Sequence, residues 1–164
     1  MDVRRLLDLA TRLAEYSIVP GMRLPPPQFG PTWSAEDVAS LRGTVDLPAA
    51  FEELVLSHGG ISAMDTAGGV AFLTARQIID HLHQDYGRLL RAVGPVAAFP
   101  LAVNGSGSYL LLASDDSAVW KLNAHMHPVA TPRRIAEGFQ SFLDALGDDW
   151  HNVLAGNGGP YATS

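Results

Sequence analysis

The sequence contains no cysteine, which excludes disulfides, thiolate nucleophiles and cysteine-ligated zinc or iron–sulfur sites. Cations are also scarce: 11 Lys and Arg against 17 Asp and Glu give a net charge of −6, so a basic nucleic-acid-binding surface is not expected. The longest mostly apolar stretch, residues 93–103, is interrupted by glycine and proline. A membrane-spanning helix needs about 20 apolar residues. We therefore expect a soluble, cytoplasmic protein.

Hydrophobic residues make up 47% of the 164 residues, which is enough for a substantial core. The length favours one domain with attached ends, since domains typically have about 100–200 residues. Residues 20–31 are rich in proline, which predicts an extended connector. We predict an N-terminal helix and connector over 1–33, packed on a domain over 34–154, with a flexible glycine-rich tail over 155–164.

Apolar spacing predicts the first helix over residues 3–14, with Leu9 outside its apolar stripe. Ser34 is a candidate N-cap of a second helix. Pro48 suits the first position of a third helix. Thr74 and Gln77 match a capping box at the start of a longer helix that extends towards residue 93.

The sequence after residue 94 changes to a strand pattern. Strands are predicted within 96–103, 109–113 and 118–122, which make an antiparallel meander. Two short strands are predicted before them, within 61–74. Thr131 and Pro132 predict the start of a final helix. The predicted fold class is α+β, with helices packed against an antiparallel sheet.

A catalytic serine is one interpretation of Gly105-Ser106-Gly107, which is close to the G-x-S-x-G elbow of esterases. Position 104 is asparagine rather than glycine, and the segment joins two predicted strands, whereas the elbow joins a strand to a helix. Asn-Gly between apolar runs is typical of a β-hairpin, which is the favoured interpretation. No phosphate-binding G-x-x-x-x-G-K-[ST] loop is present.

Histidines are the candidate metal ligands. His81 and His83 are two residues apart on a predicted helix, about 200° around its axis, so they cannot bind one metal together. His125 and His127 share one face of a segment predicted to be extended, but a metal site needs at least one further ligand. A solvated loop is favoured there, and the sequence predicts no catalytic, metal or cofactor site.

Two adjacent acids, Asp115 and Asp116, lie in the predicted turn of residues 114–117. Aspartate is common in turns for local reasons. Exposed carboxylates at a loop tip can also meet Arg and Lys side chains of a partner and speed association. Asp115 and Asp116 are therefore the candidate partner-binding residues.

Four segments together resemble the SUKH superfamily, which includes the yeast Smi/Knr cell-wall assembly regulators. Residues 45–54 (VDLPAAFEEL) are similar to its Leu-Pro motif and the following aromatic-bearing helix. Residues 57–60 (SHGG) resemble its Asn-Gly-Gly helix end, with His58 in place of the asparagine. Residues 99–110 resemble its strand, glycine-rich turn and strand, and residues 135–143 its closing helix. The resemblance covers residues 34–146, and the proline-rich entry departs from the family pattern.

The resemblance implies an α+β fold with a curved antiparallel sheet backed by helices. It also implies a non-catalytic protein-binding module. The bacterial members of this superfamily are similar to immunity proteins, which neutralise toxins, and these toxins are often nucleases. We therefore expect a toxin domain as the partner, no cofactor, and no direct contact with nucleic acid or membrane. Two alternatives stay open: a regulatory or scaffold protein of the same fold, and a hydrolase that uses Ser106 or a metal bound by His125 and His127.

Overall fold

The computed structural model describes residues 3–15, 28–29, 32–58, 61–62, 70–83, 98–104, 107–115, 117–123 and 131–157. In chain order the elements are α1 (Val3–Glu15), β1 (Gln28–Phe29), α2 (Ala35–Arg42), α3 (Ala49–His58), β2 (Ile61–Ser62), β3 (Val70–Phe72), α4 (Ala75–His83), β4 (Ala98–Asn104), β5 (Tyr109–Ala113), β6 (Val119–Leu122), β7 (Arg133–Ala136) and α5 (Phe139–Leu154).

The described strands form one open antiparallel sheet in which spatial order equals chain order. β1 and β2 are two residues long, so β3–β7 make the body of the sheet. The register of β4 against β5 shifts between Pro100 and Ala102, where a β-bulge increases the local twist. The predicted α+β class and antiparallel meander are confirmed.

Two of the helices, α2 and α4, have hydrogen-bonded N-terminal caps at the residues that the sequence analysis predicted. At the start of α2, the Asp37 amide donates to Ser34 Oγ at 3.1 Å and the Ser34 amide donates to Asp37 Oδ2 at 2.8 Å. The backbone donor at Ser34 holds the pKa of Asp37 below its usual value. At α4, the Thr74 amide donates to Gln77 Oε1 at 2.8 Å. Both predicted caps are confirmed.

One hydrophobic core lies between the helices and one face of the sheet, and Phe51 of α3 is at its centre. Its ring makes edge-on contacts with Trp33, Phe99 and Phe139, at centroid distances of 5.7, 5.6 and 5.6 Å. These partners belong to the segment before α2, to β4 and to α5. The Phe51 side chain therefore ties three distant parts of the chain to α3.

The N-terminal helix packs against α5 through Leu6, Leu9 and Leu13, all of which are buried. The expectation that Leu9 lies outside the apolar stripe was therefore wrong. Positions 6, 9 and 13 follow the i, i+3, i+7 spacing of one helical face. The face that contacts α5 is thus centred nearer to Leu9 than the sequence pattern alone indicated.

The predicted start of the final helix at Thr131 and Pro132 was also wrong. Residues 133–136 form β7, which pairs with β6 through Lys121↔Arg133, Trp120↔Arg134 and Val119↔Ala136. The helix begins at Phe139, after the extended residue Gly138, whose amide donates to Ser141 Oγ at 3.0 Å. Pairing with a distant strand overrides the local helix signal of Thr-Pro here.

The second face of the sheet carries a separate apolar cluster. Leu111 and Leu122 are buried on it, with Ala98, Tyr109 and Trp120 packed against them. Among the described residues, no helix is long and apolar enough to cross a membrane.

Truncation of Phe51 tests the central role of its ring. We expect Phe51→Ala to lower the free energy of unfolding by about 3–5 kcal/mol, because it leaves a cavity among three aromatic partners. The measurement is equilibrium denaturation in urea. Leu56→Ala, on the same helix but 43% exposed, is the matched control and should change stability by no more than about 0.5 kcal/mol. If Phe51→Ala and Leu56→Ala lowered the free energy of unfolding equally, the central role of the Phe51 ring would be contradicted.

Candidate partner-binding surface

The β5–β6 hairpin presents the acidic tip that the sequence analysis singled out. The Ala113 amide donates to the Ala118 carbonyl at 2.9 Å and closes the hairpin around residues 114–117. Asp115 is exposed in this turn. Asp116 lies outside the described residues. A carboxylate on a short turn between two paired strands is held at a defined position, which favours a role in recognition.

Ser117 gives this turn a strained backbone. Its φ is +57°, and it is the only non-glycine residue of the described chain with a positive φ. A left-handed conformation costs an L-residue other than glycine about 1–2 kcal/mol. Such strain is common where a loop must present a particular side chain. A left-handed residue at this place is also a common feature of short β-hairpins, so the conformation of Ser117 shapes the turn.

A second acid lies at the same end of the sheet. Because Val119 is opposite Ala136 in the β6–β7 register, Glu137 follows directly beyond that pair, on the side of the hairpin tip. The Glu137 side chain is 84% exposed, and its Oε2 atom lies 3.0 Å from Arg134 Nη2. Asp115 and Glu137 thus give this end of the sheet, which we call the acidic end, two exposed carboxylates.

The opposite end of the sheet is held by a buried polar network. Asn104 and Ser108 are both buried, and the Ser108 amide donates to Asn104 Oδ1 at 2.9 Å. Ser108 Oγ donates to Asn123 Oδ1 at 2.7 Å, which connects the β4–β5 hairpin to the end of β6. Gly107 has a φ of +74°, a conformation that glycine adopts without penalty. Sequence spacing gave no signal for the partnership of Ser108 with Asn123.

The Gly105-Ser106-Gly107 motif belongs to the connection between β4 and β5. Ser106 lies outside the described residues, but the residues on either side are described: β4 ends at Asn104, and the antiparallel β5 begins at Tyr109. The Gly107 amide donates to the Asn104 carbonyl at 2.9 Å. The motif therefore connects strand to strand, whereas a nucleophile elbow connects strand to helix.

The histidines of α4 differ in their surroundings. His81 is half-buried and its ring makes an edge-on contact with Tyr109 at 5.4 Å, whereas His83 is exposed. His125 and His127 lie outside the described residues. Among the residues that the structure does describe, no group of three or more His, Cys, Asp or Glu could hold a metal ion.

A cationic group on β6 and β7 was missed by the sequence analysis. Lys121 pairs with Arg133 across the two strands on one face of the sheet, whereas Arg134, the next residue, lies on the opposite face with its Cζ atom 5.9 Å from the centroid of the Trp120 ring. The available signal was the only lysine of the sequence, within an apolar strand, and an Arg-Arg pair twelve residues later. The prediction of a helix over 133–136 hid their alignment.

Comparison of the sequence with protein-family models and with curated proteins finds no match. The interpretation of the surface therefore depends on its own geometry and charge.

Replacement of Ser117 tests the strain in the acidic tip. We expect Ser117→Gly to raise the free energy of unfolding by about 0.5–1 kcal/mol, because glycine relieves the left-handed strain. The measurement is urea denaturation. Ser114→Gly, in the same turn but without a positive φ, should instead lower stability by about 0.5–1 kcal/mol, through the larger entropy of the unfolded chain. A loss of stability in both variants would contradict the strain at Ser117.

Proposed function

We propose that this chain is a non-catalytic protein-binding module, and that it acts as an immunity protein that neutralises a bacterial toxin domain by direct binding. The observation that carries the proposal is the acidic tip of the β5–β6 hairpin, where exposed Asp115 lies two residues before strained Ser117. The resemblance of residues 34–146 to the SUKH superfamily supplies the functional class. The α+β architecture is of the kind that this resemblance implies.

The charge of the tip indicates the kind of toxin. Asp115 and Glu137 both lie at the acidic end, and the whole chain carries a net charge of −6. A domain that binds nucleic acid carries a basic surface. Opposite charges across an interface steer the two proteins together and raise the association rate. A basic nuclease domain is therefore the partner that this end of the sheet fits.

The tip is suited to fast and specific docking because it is held at both sides. β5 and β6 pair along Tyr109↔Leu122 to Leu112↔Val119, and β6 pairs with β7 on its other side. A turn on paired strands loses little conformational freedom on binding, which reduces the entropic cost of association.

Reversal of the charge at Asp115 tests the role of the tip. Purified basic nuclease toxin domains, inactivated by substitution, are immobilised as a panel and the chain is passed over them by surface plasmon resonance. We expect stoichiometric binding to one member. We further expect Asp115→Arg to lower the association rate constant about tenfold at low salt, with a smaller effect at high salt.

Asp46→Arg is the matched control, since Asp46 is an exposed acid in the connection between α2 and α3. It changes the net charge equally and should leave the association rate within about twofold. If both variants lowered the association rate equally, Asp115 would act only through the net charge of the chain. Growth rescue on co-expression with the active toxin provides the functional readout, and a bound toxin that stays active would contradict neutralisation.

A further inference from the structure

The outward side of α3 carries the only exposed large hydrophobic side chain among the described residues, that of Leu56, which is 43% exposed. Ala49 and Glu53 share this side of the helix, because residues at the spacing i, i+4 and i+7 lie along one side of a helix. Both are exposed as well. We call Ala49, Glu53 and Leu56 the outer face of α3.

The outer face is held in position by contacts on the other sides of the helix. The fully buried ring of Phe51 packs into the core from the opposite side of α3. On the flank, Arg42 Nε of α2 donates to Glu52 Oε1 at 2.6 Å, which fastens α3 to α2. Rotation of α3 to bury Leu56 would break this ion pair and withdraw Phe51 from the core. A partner therefore meets a preformed surface, which lowers the entropic cost of binding.

The uncompensated charge of the outer face is negative. Arg42 neutralises Glu52, whereas Glu53, the next residue, forms no ion pair with any of the described residues. Exposed leucines occur singly on many protein surfaces, so Leu56 alone would indicate no partner. Here the leucine shares a fixed helix face with a carboxylate that no described cation neutralises. Such a face offers a partner both an apolar contact and a charge to complement.

Charge distinguishes between two possible occupants of this face. In a two-fold dimer the same face of both copies meets, and the residues midway between Ala49 and Leu56 lie opposite each other across the axis. Glu53 lies there, so a second copy would bring two like charges together, in a chain with a net charge of −6. A partner segment that carries Lys or Arg beside its apolar side chains meets no such repulsion.

The shape of the face favours a helix as that segment. Rows of side chains on one helix fit the grooves between the rows of another. The small side chain of Ala49 leaves room for a larger side chain of the partner, and Leu56, about two turns further along, supplies a large one in return. One helix face is smaller than a standard interface, so binding of this kind is weak and reversible.

We propose that the outer face of α3 is a docking site for a basic amphipathic helix of a partner protein. Apolar side chains of that helix pack on Ala49 and Leu56, and one of its Lys or Arg side chains binds the Glu53 carboxylate. The site is distinct from the acidic tip, which lies in the turn between β5 and β6, and it does not depend on the function proposed for that tip.

The binding test uses a fluorescein-labelled peptide of Leu, Ala and Lys whose leucines recur on one helical face. A second peptide has the same composition in shuffled order and no apolar face. Both are measured by fluorescence anisotropy with the full chain at about 0.15 M salt. We expect saturable binding of the amphipathic peptide, with a dissociation constant at least about tenfold lower than that of the shuffled peptide.

Two substitutions test the apolar and the charged part of the face separately. We expect the dissociation constant of the amphipathic peptide to rise about tenfold for Leu56→Gln. For Glu53→Gln we expect a rise of about threefold, which becomes smaller at high salt. Glu36→Gln is the matched control, since Glu36 is an exposed acid in the first turn of α2. It removes the same charge and should leave binding within about twofold.

Four outcomes would overturn the proposal. The first three are absence of saturable binding, equal affinity for the two peptides, and equal effects of Glu53→Gln and Glu36→Gln. The fourth concerns the second copy: we expect the chain not to associate with itself through this face in sedimentation equilibrium. A dimer that Leu56→Gln dissociates would show that the occupant is another copy of the chain.

Urea denaturation separates binding from folding. Leu56→Gln should leave the urea midpoint close to that of the unaltered chain, because Leu56 is exposed and glutamine has nearly the same helix propensity as leucine. A clearly lower midpoint would show that Leu56 serves the fold and would also overturn the proposal. Asp115→Arg should leave peptide binding within about twofold, and Leu56→Gln should leave the toxin association rate within about twofold. The two proposals can therefore fail independently.

Discussion

The fold depends on the ring of Phe51. Three aromatic partners reach it from before α2, from β4 and from the first turn of α5, and all of their contacts are edge-on. Such pairs contribute about 0.5–1.5 kcal/mol each beyond burial of their area. Among the residues that the structure describes, neither the buried Trp33 indole N–H nor that of Trp150 has a hydrogen-bond partner. The aromatic contacts of Phe51 position the sheet that carries the proposed binding surface.

The sheet separates its charges along the strand direction. At one end the hairpin tip and the residue after β7 present carboxylates, and at the other end Lys121 and Arg133 lie side by side. The buried contact of Ser108 with Asn123 fixes the cationic end, because it joins the β4–β5 hairpin to the residue that follows β6. β6 thus connects the two ends through a rigid, paired segment.

Local chemistry made much of the fold predictable. The caps at Ser34 and Thr74 need only residues three positions away, and the β4–β5 and β5–β6 hairpins need only their turns and the alternation beside them. What could not be predicted depends on distant pairing. Thr131-Pro132 is a sound helix signal, yet residues 133–136 are a strand because β6 offers hydrogen bonds and a register. The same division holds for the charged surface: the position of Asp115 in a turn could be predicted from the sequence, whereas the juxtaposition of Lys121 with Arg133 exists only in the sheet.

Two local conflicts in the described part of the chain lie beside or within β6. Ser117, before the strand, adopts a left-handed backbone that glycine would adopt without strain, and Lys121, within it, is opposite another cation. Conflicts of this kind lower stability, and consistent sequences avoid them unless another requirement competes. In the tip, the competing requirement that we propose is the presentation of an acid. β6, which follows Ser117 and contains Lys121, pairs with β5 on one side and with β7 on the other, and a paired strand tolerates local strain that a frayed one would release.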